Sequence, residues 1–327
     1  VSNFERDPVE VVCTAGENPA VVEILEPREV PLGGPRALKV RRTLPQRSRS
    51  LVGAWCFVDS YGPTPSSAPR TMDTPPHPHT GLQTVSWLYA GRIEHRDSVG
   101  TLAHITPGQV NLMTAGAGIQ HSEVSTADAR PLHGVQLWVA LPDASRHVAP
   151  FFEHFVPEPI SFGDATLRVF AGELLGSKAA VTGFTRLVGA QLDLPAGASV
   201  RLPVDPEFEH GLVVDAGTPK LQCVEVPAAR LGVVGTGLSE LDIQAGEEPL
   251  RALLIGGEPF AEQIVMWWNF IGRSHDEIAA LRDQWQAEVI HGGTSTGRYG
   301  RVDGYDGAPL PAPALPNVRL RPRGRPL

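Results

Sequence analysis

Three prolines in six residues, Thr74-Pro75-Pro76-His77-Pro78-His79, forbid a helix where this chain concentrates its chemistry. Proline fixes its own φ and pushes the residue before it into an extended conformation, so the segment must run as a strand. In an extended strand, side chains two apart point the same way, so His77 and His79 share a face. The same spacing recurs at His121-Ser122-Glu123, which is entered through the glycine-bearing turn Thr114–Gly118. A lone His-x-His more often marks a turn or a surface hydrogen bond; the stiff flanks here favour a ligand clamp. If the two segments lie side by side in a barrel, three imidazoles and one carboxylate converge. That mixed set suits a divalent transition metal better than calcium or magnesium, which prefer oxygen alone. One ion per chain is therefore expected on His77, His79, His121 and Glu123. Fe(II) is the first expectation, and Mn, Co, Ni, Cu or Zn are admitted by the same donors. Four protein ligands on a six-coordinate ion leave two positions for water, dioxygen or a chelating substrate.

The surroundings read as short strands. Gln83–Tyr89 has strand character, and Ala90-Gly91 and Pro107-Gly108 read as turns, the order a small barrel requires. The 34 glycines and 31 prolines of the whole chain fit many short strands joined by tight turns. Its 327 residues suggest about two domains. We expect an all-β dominated chain of two β-barrels with a C-terminal helix and an extended tail. Residues 1–45 form a leader, with strand-like pieces at Val21–Leu25 and Ala37–Val40. Residues 46–160 form the metal-binding barrel, and 161–258 a second barrel without metal, because His210 is its single histidine. Asp143–Gly163 reads as a connection, with Phe151, Phe152 and Phe155 as packing residues. In residues 259–327, Ser274 and Glu277 form a capping box, and Ile278, Leu281, Trp285 and Val289 line one face of the helix behind it. The tail carries Arg319, Arg321, Arg323 and Arg325 and is expected to lie extended across its own acidic protein.

Other features exclude function classes. A net charge of −8 argues against direct nucleic-acid binding. Cys13, Cys56 and Cys223 are scattered and odd in number, so they predict neither a disulfide framework nor a zinc ribbon. No apolar stretch reaches transmembrane length and no signal sequence is visible, so a soluble, cytoplasmic monomer away from membranes is expected. The run 232–237 (GVVGTG) lacks a following helix, which argues against dinucleotide binding. His95, His104 and His133 belong to the ligand-bearing domain and could orient the ligand imidazoles through a second hydrogen bond, His133 foremost.

The run HPHTGLQTVSWLYAGRIEHRDSVG, continued by ITPGQVNLMTAGAGIQHSE, resembles the metal-binding region of the pirin family, bicupins of the cupin superfamily. LVGAWCFVDSYGP, LHGVQLWVALP and FAEQIVMWWNFIGRSHDEI extend the likeness over about four-fifths of the chain. The resemblance implies ligands on His77, His79, His121 and Glu123. Gln83 stands where many pirins carry a glutamate, which is expected to change the surroundings and charge of the metal site. It also implies a quercetin 2,3-dioxygenase-type activity, in which a flavonol or related aromatic enediol is opened with O2. Trp87, Met113, Phe57 and Trp138 would be apolar walls, and Glu123 would be the base that takes the substrate's hydroxyl proton. The competing class, also implied by the family, is a non-enzymatic metal- or redox-sensing protein that binds a regulatory protein partner. Fold alone does not choose between them.

Overall fold

The computed structural model describes residues 21–32, 38–65, 72–126, 131–292 and 296–322. Cys13, Arg323 and Arg325, named above, lie outside these residues. The described strands form two barrels of matching design. In the first, a seven-stranded sheet runs in the order Phe151–Phe155, Val110–Thr114, Leu82–Ala90, His133–Ala140, Trp55–Tyr61, Leu38–Leu44, Arg28–Leu32. It faces a four-stranded sheet in the order Asp73–His79, Ile119–Ser125, Ile93–Asp97, Leu102–Ile105. The second barrel repeats the plan, with its large sheet centred on Glu209–Ala216, Leu250–Gly257 and Leu187–Leu194 and a small sheet built on Ser199–Pro203 and Glu240–Gln244. The leader is divided between them. Glu23–Leu25 pairs with Leu231–Val234 of the second barrel, while Arg28–Leu32 pairs with Leu38–Leu44 of the first. The stretch expected as a bare connection carries two edge strands, Phe151–Phe155 on the first barrel and Ile160–Phe162 on the second.

The core of the first barrel continues across the interface to Phe170, Leu187, Val213 and Ile255, while the interior of the second barrel forms a cluster of its own. Trp55–Tyr61 is buried along its whole length, because its inner face fills the first barrel and its outer face meets the second. Trp55 Nε1 donates to the carbonyls of Val188 and Gly256, both at 3.1 Å. Trp87 stacks on Phe170 at 4.8 Å between centroids and donates its indole N–H to Gln191 at 2.8 Å. Trp87 is therefore a wall between the barrels and not a wall of the ligand site. His133 likewise turns to the second barrel: its Nε2 lies 2.6 Å from Asp215 Oδ1, whose other oxygen accepts from Arg251 at 2.7 Å. It does not orient the ligand imidazoles.

Gln83 also faces the neighbouring barrel. Gln83, Val85 and Trp87 share one face of their strand, and Ser86 lies on the other. The Gln83 amide N–H group donates to Thr114 Oγ1 and to the carbonyl of Thr182 in the second barrel, each at 2.9 Å. The expected effect on the metal-site surroundings is thus corrected: Gln83 is a tie between barrels, and it must be a donor. Gln83→Glu would set a buried carboxylate against the Thr182 carbonyl. We expect this change to lower stability by about 1–3 kcal/mol; a urea midpoint equal to wild type would refute the tie.

The C-terminal helix, His275–Trp285, continues through Ile290 as a π-helical turn. Ser274 caps it, accepting from the Glu277 N–H at 3.1 Å. The Glu277 carboxylate reaches back one residue past the cap, to the Arg273 N–H at 2.7 Å. Ile278, Leu281 and Trp285 are buried as the periodicity predicts, while Val289 is only half-buried. The described part of the tail, as far as Pro322, lies along its own protein, with Arg319 bonded to Asp276 at 2.8 Å and the Leu320 N–H to His275 at 3.1 Å.

Candidate metal centre

Three strands of the small sheet each bring a pair of residues two apart to one face. In Asp73–His79 the pair is His77 and His79; in Ile119–Ser125 it is His121 and Glu123; in Ile93–Asp97 it is His95 and Asp97. Pairing aligns them: His121 sits opposite His77 on one side and Asp97 on the other, and Glu123 sits opposite His95. A register shift between His121 and Glu123 breaks the match with the Asp73–His79 strand there, leaving Glu123 opposite Thr74. Such bulges re-aim side chains beside functional sites. The approach to His121 is fixed by Gly116 at φ +49°, where a Cβ would lie 2.0 Å from the Val148 carbonyl oxygen. Only glycine fits that turn.

The six side chains are all buried. The rings of His77, His79 and His121 lie 4.4–5.0 Å apart between centroids. His79 Nε2 and His121 Nε2 face each other at 3.1 Å. His77 Nδ1 meets the Pro75 carbonyl at 2.8 Å, which leaves its Nε2 for a ligand role. Potential donor atoms fall into two triads that share His121: His77, His79, His121 and His95, His121, Glu123. The four residues expected from the sequence are therefore brought together, but Glu123 groups with His121 and His95. From the sequence alone His95 is one of three candidate orienting histidines, with His133 foremost. His104 is half-exposed, 3.6 Å from Glu94. The signal that distinguishes His95 is its own i, i+2 partner, Asp97.

Burial pulls the His77 imidazole down to about 4, and it holds His79 and His121 well below the usual histidine range, reinforced in both by repulsion from His77. Burial pushes the Glu123 carboxyl up, opposed by His95 and by the Ser86 hydroxyl. Neutral imidazoles offering lone pairs beside a desolvated carboxylate are the donor set that a divalent transition ion would satisfy. The residues present fit such an ion.

The opposite sheet supplies two rows. Pairing places Phe57, Trp138, Thr84, Met113 and Phe152 in one line across it. Trp138 stacks on Phe57 at 4.0 Å and meets His79 edge-on at 5.1 Å, while Phe152 lies against His95 at 4.7 Å. Two residues along on the same strands, the Ser86 hydroxyl lies 2.9 Å from Gln136 Oε1 and 3.3 Å from Glu123 Oε1. An apolar row thus flanks the imidazoles, and a polar row approaches the carboxylate. Three of the four expected walls, Phe57, Trp138 and Met113, lie on the apolar row.

Comparison with known proteins agrees with this geometry. A family model for pirin matches residues 37–139, and one for the pirin C-terminal cupin domain matches residues 189–290. The chain belongs to the pirin family. A Pseudomonas aeruginosa relative named "Putative quercetin 2,3-dioxygenase" is 39% identical to this pirin over 290 residues, covering 88% of this chain and 89% of its own. The crystal structure of a quercetin 2,3-dioxygenase from Acinetobacter baumannii superposes on it with a TM-score of 0.84 at 38% identity, covering 92% of this chain and 97% of that one. A bacterial pirin from Escherichia coli, in complex with nickel(II), shares the fold at TM-score 0.58 and 16% identity, over 74% of this pirin and 100% of its own chain.

Proposed function

We propose that this pirin is a metal-dependent dioxygenase of the quercetin 2,3-dioxygenase type, opening a flavonol or related aromatic enediol with O2. The observation that carries the reading is the buried three-imidazole cluster with Glu123 at its edge and the Phe57–Trp138–Met113–Phe152 row beside it. Relatives at 38–39% identity that bear the name of that activity support it. His77, His79, His121 and Glu123 would hold the ion, and the ion would supply two open positions for a chelating hydroxy-ketone and for dioxygen. The chain's own residues do the rest. The aromatic row offers flat apolar surface to a planar substrate. Burial of the imidazoles excludes water, which would compete for the open positions and for reactive species. Glu123, whose carboxyl burial makes more basic, takes the hydroxyl proton of the enediol, and the Ser86 hydroxyl, 3.3 Å from Oε1, is the group placed to steady the carboxylate.

The test uses protein prepared without a metal-affinity tag and loaded with Fe(II), Ni(II) or Co(II) in turn. With O2 and a flavonol, the long-wavelength absorbance of the substrate should disappear catalytically. In Glu123→Ala the rate should fall by about 100-fold or more, the usual worth of a placed general base. If no flavonol or enediol in a panel turns over while metal is confirmed present, the dioxygenase reading fails. A metal-sensing role through a protein partner would then take its place.

A further inference from the structure

We propose that Asp97 and His95 form a relay of hydrogen-bond polarity that fixes the tautomer of His121, turning its Nε2 lone pair toward the metal position. The proposal rests on the metal reading above and adds a positioning role for two residues outside the expected ligand set. Its starting point is Asp97, whose side chain is fully buried. Asp97 Oδ1 accepts the backbone N–H groups of Val99 at 3.0 Å and Thr101 at 2.9 Å, so the turn after the strand pins that oxygen. Oδ2 is thereby turned to His95 Nε2 at 3.1 Å.

A carboxylate only accepts hydrogen bonds, so His95 carries its proton on Nε2. The geometry leaves the other ring nitrogen, Nδ1, to offer its lone pair to His121 Nδ1 at 3.3 Å. His121 must donate there, so its proton sits on Nδ1 and its lone pair on Nε2. That is the nitrogen facing His79 Nε2. Carboxylate partners orient metal-binding histidines in the same way when they touch them directly. Here the instruction passes through one extra imidazole, packed against Phe152 at 4.7 Å with the two rings tilted by 32°.

The relay makes a specific prediction for Asp97→Asn, which preserves shape. Two backbone donors still demand an oxygen at the Oδ1 position, so the new amide nitrogen must face His95. It donates to His95 Nε2, moves the His95 proton to Nδ1, and makes His121 Nδ1 the acceptor. The His121 proton is then driven onto Nε2, where a metal needs the lone pair.

Two readouts test this. Long-range 15N–1H spectra of the metal-free protein, labelled at histidine nitrogens, should show His121 protonated at Nδ1 in wild type and at Nε2 in Asp97→Asn. Co(II) affinity, measured by competition with a chromophoric chelator, should fall by about 10–100-fold in Asp97→Asn. His95→Gln can accept from His121 and donate to Asp97, so it should stay close to wild type in affinity, whereas His95→Leu should lose as much as Asp97→Asn. If wild type and Asp97→Asn share one tautomer and bind Co(II) equally, the relay is overturned while the metal reading stands. If His95→Gln loses as much as His95→Leu, His95 is itself a ligand and the relay is again overturned. Wild-type protein that binds no Co(II) would overturn the metal reading, and the purpose of the relay with it.

Discussion

Replacing His121 with alanine is expected to reduce metal content from one ion per chain to near zero, the largest binding effect of any single substitution here. The reason is position. His121 belongs to both donor triads, stands opposite His77 and Asp97 in the sheet, and faces His79 at 3.1 Å. His77→Ala, by contrast, leaves His79, His121 and Glu123 in place and should retain a weaker site. His210→Ala serves as the control for the second barrel. His210 is buried with its Nδ1 unpartnered, and burial lowers its imidazole to about 4, yet among the described residues both candidate donor groups lie in the first barrel. Metal analysis of tag-free protein, with circular dichroism to confirm folding, decides the matter. His121→Ala that keeps a full ion per chain would remove the basis for the site.

Local rules carried the sequence reading as far as they reach. The i, i+2 clamps, the proline-stiffened ligand strand and the cap at Ser274 are short-range features, and each stands in the structure where the residues indicated. Face assignment is where the reading stopped. In Leu82–Ala90 the first seven residues are all buried, because one side fills the barrel and the other meets its neighbour. Alternation groups Gln83 with Trp87 but does not say which side is inward when both sides are dry. Residue type alone therefore points Gln83 and Trp87 to the site, whereas both belong to the interface. His95 was obscured for a different reason. Its strand, Ile93–Asp97, alternates buried and half-buried residues, and the intervening Glu94 and Arg96 pair with each other at 2.9 Å. Such charges resemble a solvated strand until pairing with Ile119–Ser125, set by distant residues, turns His95 and Asp97 inward.

Trp285→Ala is expected to lower the stability of the chain by about 3–5 kcal/mol, the range for emptying a buried aromatic site. Trp285 is fully buried in a cluster with Val265, Phe270, Ile278, Leu281 and Tyr299, and it meets the Tyr299 ring edge-on at 5.3 Å. Its indole N–H donates to the Leu310 carbonyl at 2.9 Å, and the Leu310 N–H donates in turn to Pro76 at 2.8 Å, one residue before His77. The same stretch of tail reaches Asp73 through the Tyr305 hydroxyl at 2.8 Å, and its Gly300 carbonyl accepts from Gln120, beside His121, at 2.6 Å. The helix therefore anchors a strap that grips both ligand strands from outside the barrel. Loss of the indole should loosen the strap as well as empty its site, so limited proteolysis should cut the region after Gly297 faster than in wild type. Trp285→Phe keeps most of the packing and removes the N–H, and should cost less than alanine while still freeing Leu310. The folded fraction of Trp285→Ala should keep one ion per chain, because no ligand is touched. A urea midpoint within error of wild type, with the tail still protected, would show that the helix decorates the barrel instead of bracing it.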